Sequence, residues 1–210
     1  MGRVRIKDRG LGCKDEYLGE SVKEGDRRSL LSLLKKYSFF EGDFVLTSGR
    51  KSDVLVDVKR TALHPDGNRL IGEAMLSMVR TCWPEAEGIG GRTLGADPLA
   101  VAISRSSLDD GGDRLQAFIV RKEAKGHGSS RLMECSGALS KGAKVVVLED
   151  TTTTGGSAVQ AAQAVHIEGF HLCGVLTLVD RQEGASERFE KEGMIFRSVF
   201  TLSEIRAHAF

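Results

Sequence analysis

The segment Val145–Ser157 reads Val-Val-Val-Leu-Glu-Asp-Thr-Thr-Thr-Thr-Gly-Gly-Ser. An apolar run ends in two adjacent carboxylates, Glu149 and Asp150. Thr151, Thr152, Thr153, Thr154, Gly155, Gly156 and Ser157 follow, and then a helical pattern begins. Threonine hydroxyls, loop N–H groups and a helix N-terminus together make an anion cradle. The glycines let the backbone approach that anion closely. Two carboxylates would repel a phosphate, so they must face something else, such as sugar hydroxyls or a bound metal. A cradle and an acidic pair so close in sequence describe a site for a phosphorylated sugar. Neither G-x-x-x-x-G-K-[ST] nor G-x-G-x-x-G occurs here, which excludes the common nucleotide-loop signatures.

A second cluster, Arg121-Lys122-Glu123-Ala124-Lys125-Gly126-His127-Gly128, follows an apolar run directly. Arg121, Lys122 and Lys125 outweigh Glu123, and glycines flank His127. A cationic loop with permissive backbone suits a lid over a polyanion such as pyrophosphate.

These loops need a scaffold. Short Val/Ile/Leu runs at Ile89, Ala117–Val120, Val145–Leu148 and Val175–Val179 alternate with helical segments. That alternation predicts an α/β fold, with a parallel sheet covered on both faces. Helices are expected from Arg27 (with Asp26 as N-cap), from His64-Pro65 to about Cys82, from Pro98 to about Ser104, and from the Gly155-Gly156 pair through Val165. Asp97, before Pro98, reads as an N-cap. Phe44–Leu46 and Val54–Val58 predict a hairpin with a basic tip at Arg50-Lys51. In such sheets ligands bind beyond the C-terminal strand ends, where both chemical loops fall.

The 210 residues carry a net charge of +1, so bulk attraction to nucleic acid is excluded. No apolar run is long enough to span a membrane, and the N-terminus has no apolar signal core. The four cysteines (Cys13, Cys82, Cys135, Cys173) are scattered, and free thiols in a reducing cytosol are expected. His64, His166, His171 and His208 show no metal-ligand spacing. Glycine is abundant at 25 residues while proline is only 3, and seven of those glycines fall in three expected loops: Gly90, Gly91, Gly95, Gly126, Gly128, Gly155 and Gly156.

Val145–Ser157 resembles the phosphoribosyl-pyrophosphate (PRPP) signature of the type I phosphoribosyltransferases. The string Arg121–Gly128 is similar to the lid of the orotate phosphoribosyltransferase family within that class. Phe44–Ser52 resembles the family's F-x-L-x-S-G-x-x-S hairpin, and Asp180-Arg181-Gln182-Glu183 its D-R-x-E. The resemblance runs over about residues 27–205. It implies a type I phosphoribosyltransferase fold: a central parallel sheet flanked by helices, a hood over about 27–63, a core over about 64–205, and residues 1–26 as an extension. It implies that Glu149 and Asp150 hold ribose hydroxyls and Thr151–Ser157 the 5′-phosphate. Arg121, Lys122, Lys125 and His127 would contact PRPP, with Lys125 and His127 catalytic. Arg181 and Thr153 would contact orotate. Thr47, Leu55-Val56 and Thr93-Leu94 depart from the lysine, aromatic pair and Tyr-Lys of well-studied bacterial members.

The resemblance also implies Mg²⁺ held mainly by PRPP and not by direct protein ligation. It implies a cytoplasmic homodimer with shared sites, acting on small molecules, with neither nucleic acid nor membrane as partner. A phosphoribosyltransferase for another base, or a PRPP-sensing regulator on the same fold, are the alternatives. If the lid carries catalysis, Lys125→Ala lowers kcat ~10²-fold or more. Steady-state turnover of the variant checks this, and an unchanged kcat removes Lys125 from the mechanism.

Overall fold

The computed structural model describes residues 24–45, 49, 51–123 and 132–209. The expected lid residues Lys125, Gly126, His127 and Gly128, and the hairpin-tip residues Leu46–Ser48 and Arg50, lie outside these.

The described residues open with α1 (Glu24–Leu33), which continues into a π-helical turn, Leu34–Ser38. Leu30, Leu31 and Leu34 bury the apolar face that the sequence predicts. Asp26 lies inside this helix and is not its cap; carboxylates are favoured in a first turn, near the helix's positive end. The hairpin follows as β1 (Phe39–Val45) and β2 (Lys51–Val56), paired antiparallel with a bulge between Glu41 and Phe44. It starts five residues earlier than the sequence pattern indicated, because Phe39 and Phe40 pair with Val56 and Leu55.

Next come α2 (Lys59–Ala62) and α3 (Pro65–Cys82), the latter where the Pro-initiated pattern places it. The main sheet then assembles from β3 (Gly88–Arg92), β4 (Gln116–Val120), β5 (Met133–Cys135), β6 (Lys144–Thr152), β7 (His171–Asp180) and β8 (Phe196–Thr201), in the order β5-β4-β3-β6-β7-β8. Every pairing is parallel except β5 on β4, which closes one edge antiparallel. The α/β class holds, and the sheet is mixed at that one edge. Helices α4 (Asp97–Ser106), α5 (Gly156–Ile167), α6 (Ala185–Lys191) and α7 (Leu202–Ala207) complete the fold.

Gly90 and Gly91 sit inside β3 and not in a loop. A Cβ on Gly90 would lie 2.0 Å from the Phe118 carbonyl oxygen, and one on Gly91 would lie 2.1 Å from that of Leu148. Glycine there permits close approach inside the sheet. Asp97 is the first residue of α4 and makes no capping bond; its Oδ2 accepts a hydrogen bond from Thr93 Oγ1 at 2.6 Å. Cys135 and Cys173 are free thiols, but Cys82 is disulfide-bonded, which corrects the expectation of free thiols throughout.

Two apolar layers sandwich the sheet. Val146 and Leu148 join the layer with α1, α3 and α4, while Val145 and Val147 join the layer with α5 and Phe189. This is the period-two alternation of a strand buried on both faces. Trp83, just past α3, is 3% exposed and packs on Gly174 of β7. A Cβ on Gly174 would lie 2.5 Å from the indole ring. Gly174→Ala should therefore destabilise the protein by ~1–3 kcal/mol, the usual range for overpacking a core. Thermal unfolding checks this, and an unchanged Tm would show that the indole can move aside.

Candidate active site

Strand β6 does not stop at its apolar run; it carries on through Glu149, Asp150, Thr151 and Thr152. Two of the four threonines are thus strand residues, and the loop proper is Thr153-Thr154-Gly155. Gly155 has φ of 75°, the left-handed region in which glycine is unstrained, and it caps α5. A Cβ there would also strike Phe189 at 2.7 Å. The chain therefore turns sharply into α5, whose first N–H groups come from Gly156, Ser157 and Ala158. Helix N-termini of this kind favour anions.

Strand alternation separates the acidic pair. Glu149 continues the Val145/Val147 face and Asp150 the Val146/Leu148 face. The surroundings agree. Glu149 has Ser157 and Arg92 as electrostatic neighbours, while Asp150 has Lys59 and Asp57. Burial pushes the Glu149 carboxyl up to about 7, and Asp150's charge adds to that; Ser157 and Arg92 oppose it. Glu149 is 8% exposed, and its Oε1 has no hydrogen-bond partner among the described residues. Burial also raises Asp150, against a backbone hydrogen bond from Thr151 N–H (2.8 Å to Oδ1) and the attraction of Lys59. The Asp150 carboxylate lies against Gly95, where a Cβ would be 2.5 Å from Oδ1.

The loop after β3 faces this end of β6. Arg92 donates to the side-chain oxygen of Gln160 on α5, and the Thr93–Leu94 peptide is cis. Leu94, Asp97 and Lys59 border a cavity of about 490 Å³.

Arg181 is 7% exposed. Its Nε donates to Glu183 Oε1 at 2.8 Å and its Nη2 to Ser52 Oγ of the hairpin at 3.1 Å. The turn that aims it inward is held by Asp180 Oδ1, which accepts from Gln182 N–H at 2.8 Å, with Gln182 at φ 59°. The structure thus brings Arg181 and the F-x-L-x-S-G-x-x-S hairpin into contact. Thr153 is half-buried and Thr154 exposed in the same cleft loop. Arg121 pairs with Glu134 of β5 at 2.8 Å, and Lys122 is exposed beside it. Lys125 and His127 lie outside the described residues.

Sequence inspection missed two cations. Arg188 Nη1 donates to the Thr154 carbonyl at 3.4 Å, flanking the anion loop. Lys59 reaches Asp57 at 2.8 Å and acts on Asp150. Neither had a local signal, because Arg188 meets Thr154 across the fold and the electrostatic influence of Lys59 on Asp150 is likewise long-range.

A mainly parallel sheet that delivers two carboxylates and an anion loop from its central strand, under an N-terminal hairpin, is the type I phosphoribosyltransferase architecture. Comparison with known proteins narrows this. No family model matches the chain. A curated orotate phosphoribosyltransferase of Aquifex aeolicus is 45% identical over 183 residues, 86% of this chain and 97% of that protein. The crystal structure of Mycobacterium tuberculosis orotate phosphoribosyltransferase with Fe(III) dicitrate is 43% identical. It covers 86% of this chain and 98% of that one, with a TM-score of 0.74. The structure of the M. tuberculosis enzyme in complex with PRPP covers 90% and 96% at 37% identity, with a TM-score of 0.70. The chain belongs to the orotate phosphoribosyltransferase family.

The raised Glu149 pKa has a signed consequence. Between its ordinary value near 4.5 and about 7, the folded state holds a proton that the unfolded state releases. Glu149 therefore contributes stability at low pH that is lost as pH rises through 7, on the order of 3 kcal/mol in full. Relative to wild type, Glu149→Gln should gain in Tm as pH goes from 5 to 8. A Tm difference that stays flat over that window would show that Glu149 ionises normally.

Proposed function

We propose that the protein transfers the phosphoribosyl group of PRPP to N1 of orotate, giving orotidine 5′-monophosphate and pyrophosphate in pyrimidine nucleotide synthesis. The observation that carries this reading is the end of β6, where one continuous segment supplies two carboxylates and a phosphate cradle. Family membership assigns the base. In this reading Thr151–Ser157 hold the 5′-phosphate through hydroxyls and N–H groups, and Glu149 and Asp150 take ribose hydroxyls. Arg181, already fixed by Glu183 and Ser52, offers its planar fork to the orotate carboxylate, beside Thr153. Bond cleavage at C1′ builds positive charge on the ribose and negative charge on the departing diphosphate. Lys125 and His127, with Arg121 and Lys122, stabilise the latter, and Lys125 or His127 supplies a proton to it. Exclusion of water protects PRPP from hydrolysis.

The donor set near β6 suits a hard cation shared with substrate. Glu149 and Asp150 present carboxylate oxygens beside the phosphate loop, and Glu149 Oε1 is buried without a partner among the described residues. Mg²⁺ commonly rests on substrate phosphates with one or two carboxylates nearby. Held mainly by PRPP, it would offset charge on the leaving diphosphate.

A homodimer with shared sites belongs to the same reading. Leu63, Leu94 and Val101 are 74%, 69% and 62% exposed and border one cavity, an apolar face suited to a second copy of this chain. No described helix is long and apolar enough to cross a membrane, and the reading places the enzyme in the cytoplasm.

The direct test is orotate consumption with PRPP and Mg²⁺. Turnover is expected, with loss on adding EDTA and recovery with excess Mg²⁺. Absence of turnover with orotate, or turnover with another base in its place, overturns the assignment.

A further inference from the structure

The anion loop carries no cation of its own. Thr151 to Ser157 supply hydroxyls and N–H groups, but neither lysine nor arginine. A phosphate seated there meets only dipoles unless a charge reaches it from another element. The loop also has carbonyl oxygens, whose partial negative charge opposes an anion wherever no donor occupies them.

Helix α6 brings a cation to this place. Phe189 of α6 is fully buried, and its ring lies 4.8 Å from that of Phe196. It packs on the turn itself, since a Cβ on Gly155 would lie 2.7 Å from Phe189 Cζ. The preceding residue, Arg188, is thereby set beside the loop. Its Nη1 donates to the Thr154 carbonyl at 3.4 Å. The same Nη1 would lie 3.5 Å from a Cβ on Gly156, and Thr154 Oγ1 would lie 4.0 Å from that point. A guanidinium and a hydroxyl thus converge on the first residue of α5, where no side chain comes between them.

The charge of Arg188 is not neutralised. Arg181 pairs with Glu183 and Arg121 with Glu134. Among the described residues Arg188 makes no ion pair, and its polar side-chain partner is the uncharged Thr154 carbonyl.

We propose that Arg188 is a positioning residue for the 5′-phosphate: its guanidinium engages the Thr154 carbonyl and holds a positive charge beside the loop that receives the phosphate. This rests on the phosphoribosyltransferase reading and assigns a role to a residue outside the PRPP signature, the lid and the base contacts. A guanidinium has five donors in a fixed fork. With one on Thr154, others remain to face phosphate oxygens. Arg188 is exposed, so water and salt screen it, and the effect is a few-fold change that depends on ionic strength.

The test is calorimetric titration of wild type, Arg188→Met and Arg188→Lys with two separate probes, ribose 5-phosphate and inorganic pyrophosphate. Each titration is run at ~0.02 M and ~0.3 M salt, where screening differs strongly. Arg188→Met is expected to weaken ribose 5-phosphate binding about three-fold at low salt, in line with an exposed charge contact. The difference from wild type should shrink at high salt, and pyrophosphate affinity should hold. Arg188→Lys should recover most of the loss, because it restores the charge. In steady-state kinetics Arg188→Met should raise the PRPP KM by a similar factor, with the orotate KM and kcat hardly moved.

Unchanged ribose 5-phosphate affinity at low salt overturns the proposal. Equal losses for ribose 5-phosphate and pyrophosphate would reveal a general field and not a local contact, and also overturn it. So does a loss that is the same at both salt concentrations and unrescued by lysine, which would mark a purely structural role. Should wild type show no orotate turnover, the assigned reaction fails separately, and the ribose 5-phosphate titrations still decide on Arg188. Wild type that binds no ribose 5-phosphate removes the phosphate cradle and this proposal with it, whether or not orotate is consumed.

Discussion

The site depends on β6 holding its register at the centre of the sheet. Strand β3 pairs with it on one side and β7 on the other, and the β7 pairing persists to Thr152 opposite Asp180. Because both ladders are parallel and both faces are covered, Val145–Leu148 cannot slip by one residue without exchanging the two apolar layers. That lock carries forward. Where the apolar side chains stop, the alternation continues, and Glu149 and Asp150 are delivered to opposite faces. The same pairing brings Asp180 level with Thr152, which sets Arg181 one step beyond the sheet and beside the anion loop. A slip of one residue would interchange the two acids and misplace the loop.

The separation gives two adjacent carboxylates different electrostatic surroundings. Both are raised by burial, since taking a carboxylate out of water penalises its charged form. Glu149 is offset by a hydroxyl and a guanidinium from the α5 side, and Asp150 by the Thr151 N–H of its own strand and by the Lys59 ammonium. Two acids sharing one compartment would suppress each other's ionisation more strongly. Placing them on either side of the strand lets each be tuned by its own neighbours, which suits the proposed contacts with ribose hydroxyls beside a phosphate.

Much of this was legible because it is contiguous. The strand, acids, threonines, glycines and helix of 145–167 lie in one unbroken stretch, so pattern and turn chemistry locate them. The α/β class was legible from alternating Val-rich runs and helical periods. What escaped were contacts across long separations. Ser52 meeting Arg181, Lys59 acting on Asp150 and Arg188 flanking Thr154 have no sequence period to betray them. The edge strand β5 has only three residues, too short for a periodic signal, and its antiparallel sense arises from pairing with β4. Glycines 90 and 91 misled for a different reason. Glycine commonly marks a loop, but here it marks the close packing of strand on strand.

The N-terminal segment is fastened to elements from distant parts of the chain: Leu30, Leu31, Leu34, Phe39, Val54 and Val56 join one apolar cluster with α3, α4 and β8, and polar contacts add to this. Arg27 pairs with Glu204 at 2.6 Å and lies over the Phe200 ring, while within the N-terminal segment itself the Ser38 and Thr61 hydroxyls meet at 2.6 Å in a buried setting. Exposed ion pairs contribute little individually, so the buried contacts weigh more. In the proposed reading, Arg181 is the contact where fastening and base binding coincide. Its guanidinium carries five donors, and the bonds to Glu183 and Ser52 engage only two of them. The fork is thereby fixed in plane and direction before any ligand arrives, and its further donors suit a planar anion. Since fixing a long side chain costs conformational entropy, a site that has already ordered its arginine through the hood can devote more of the ligand's binding energy to orientation.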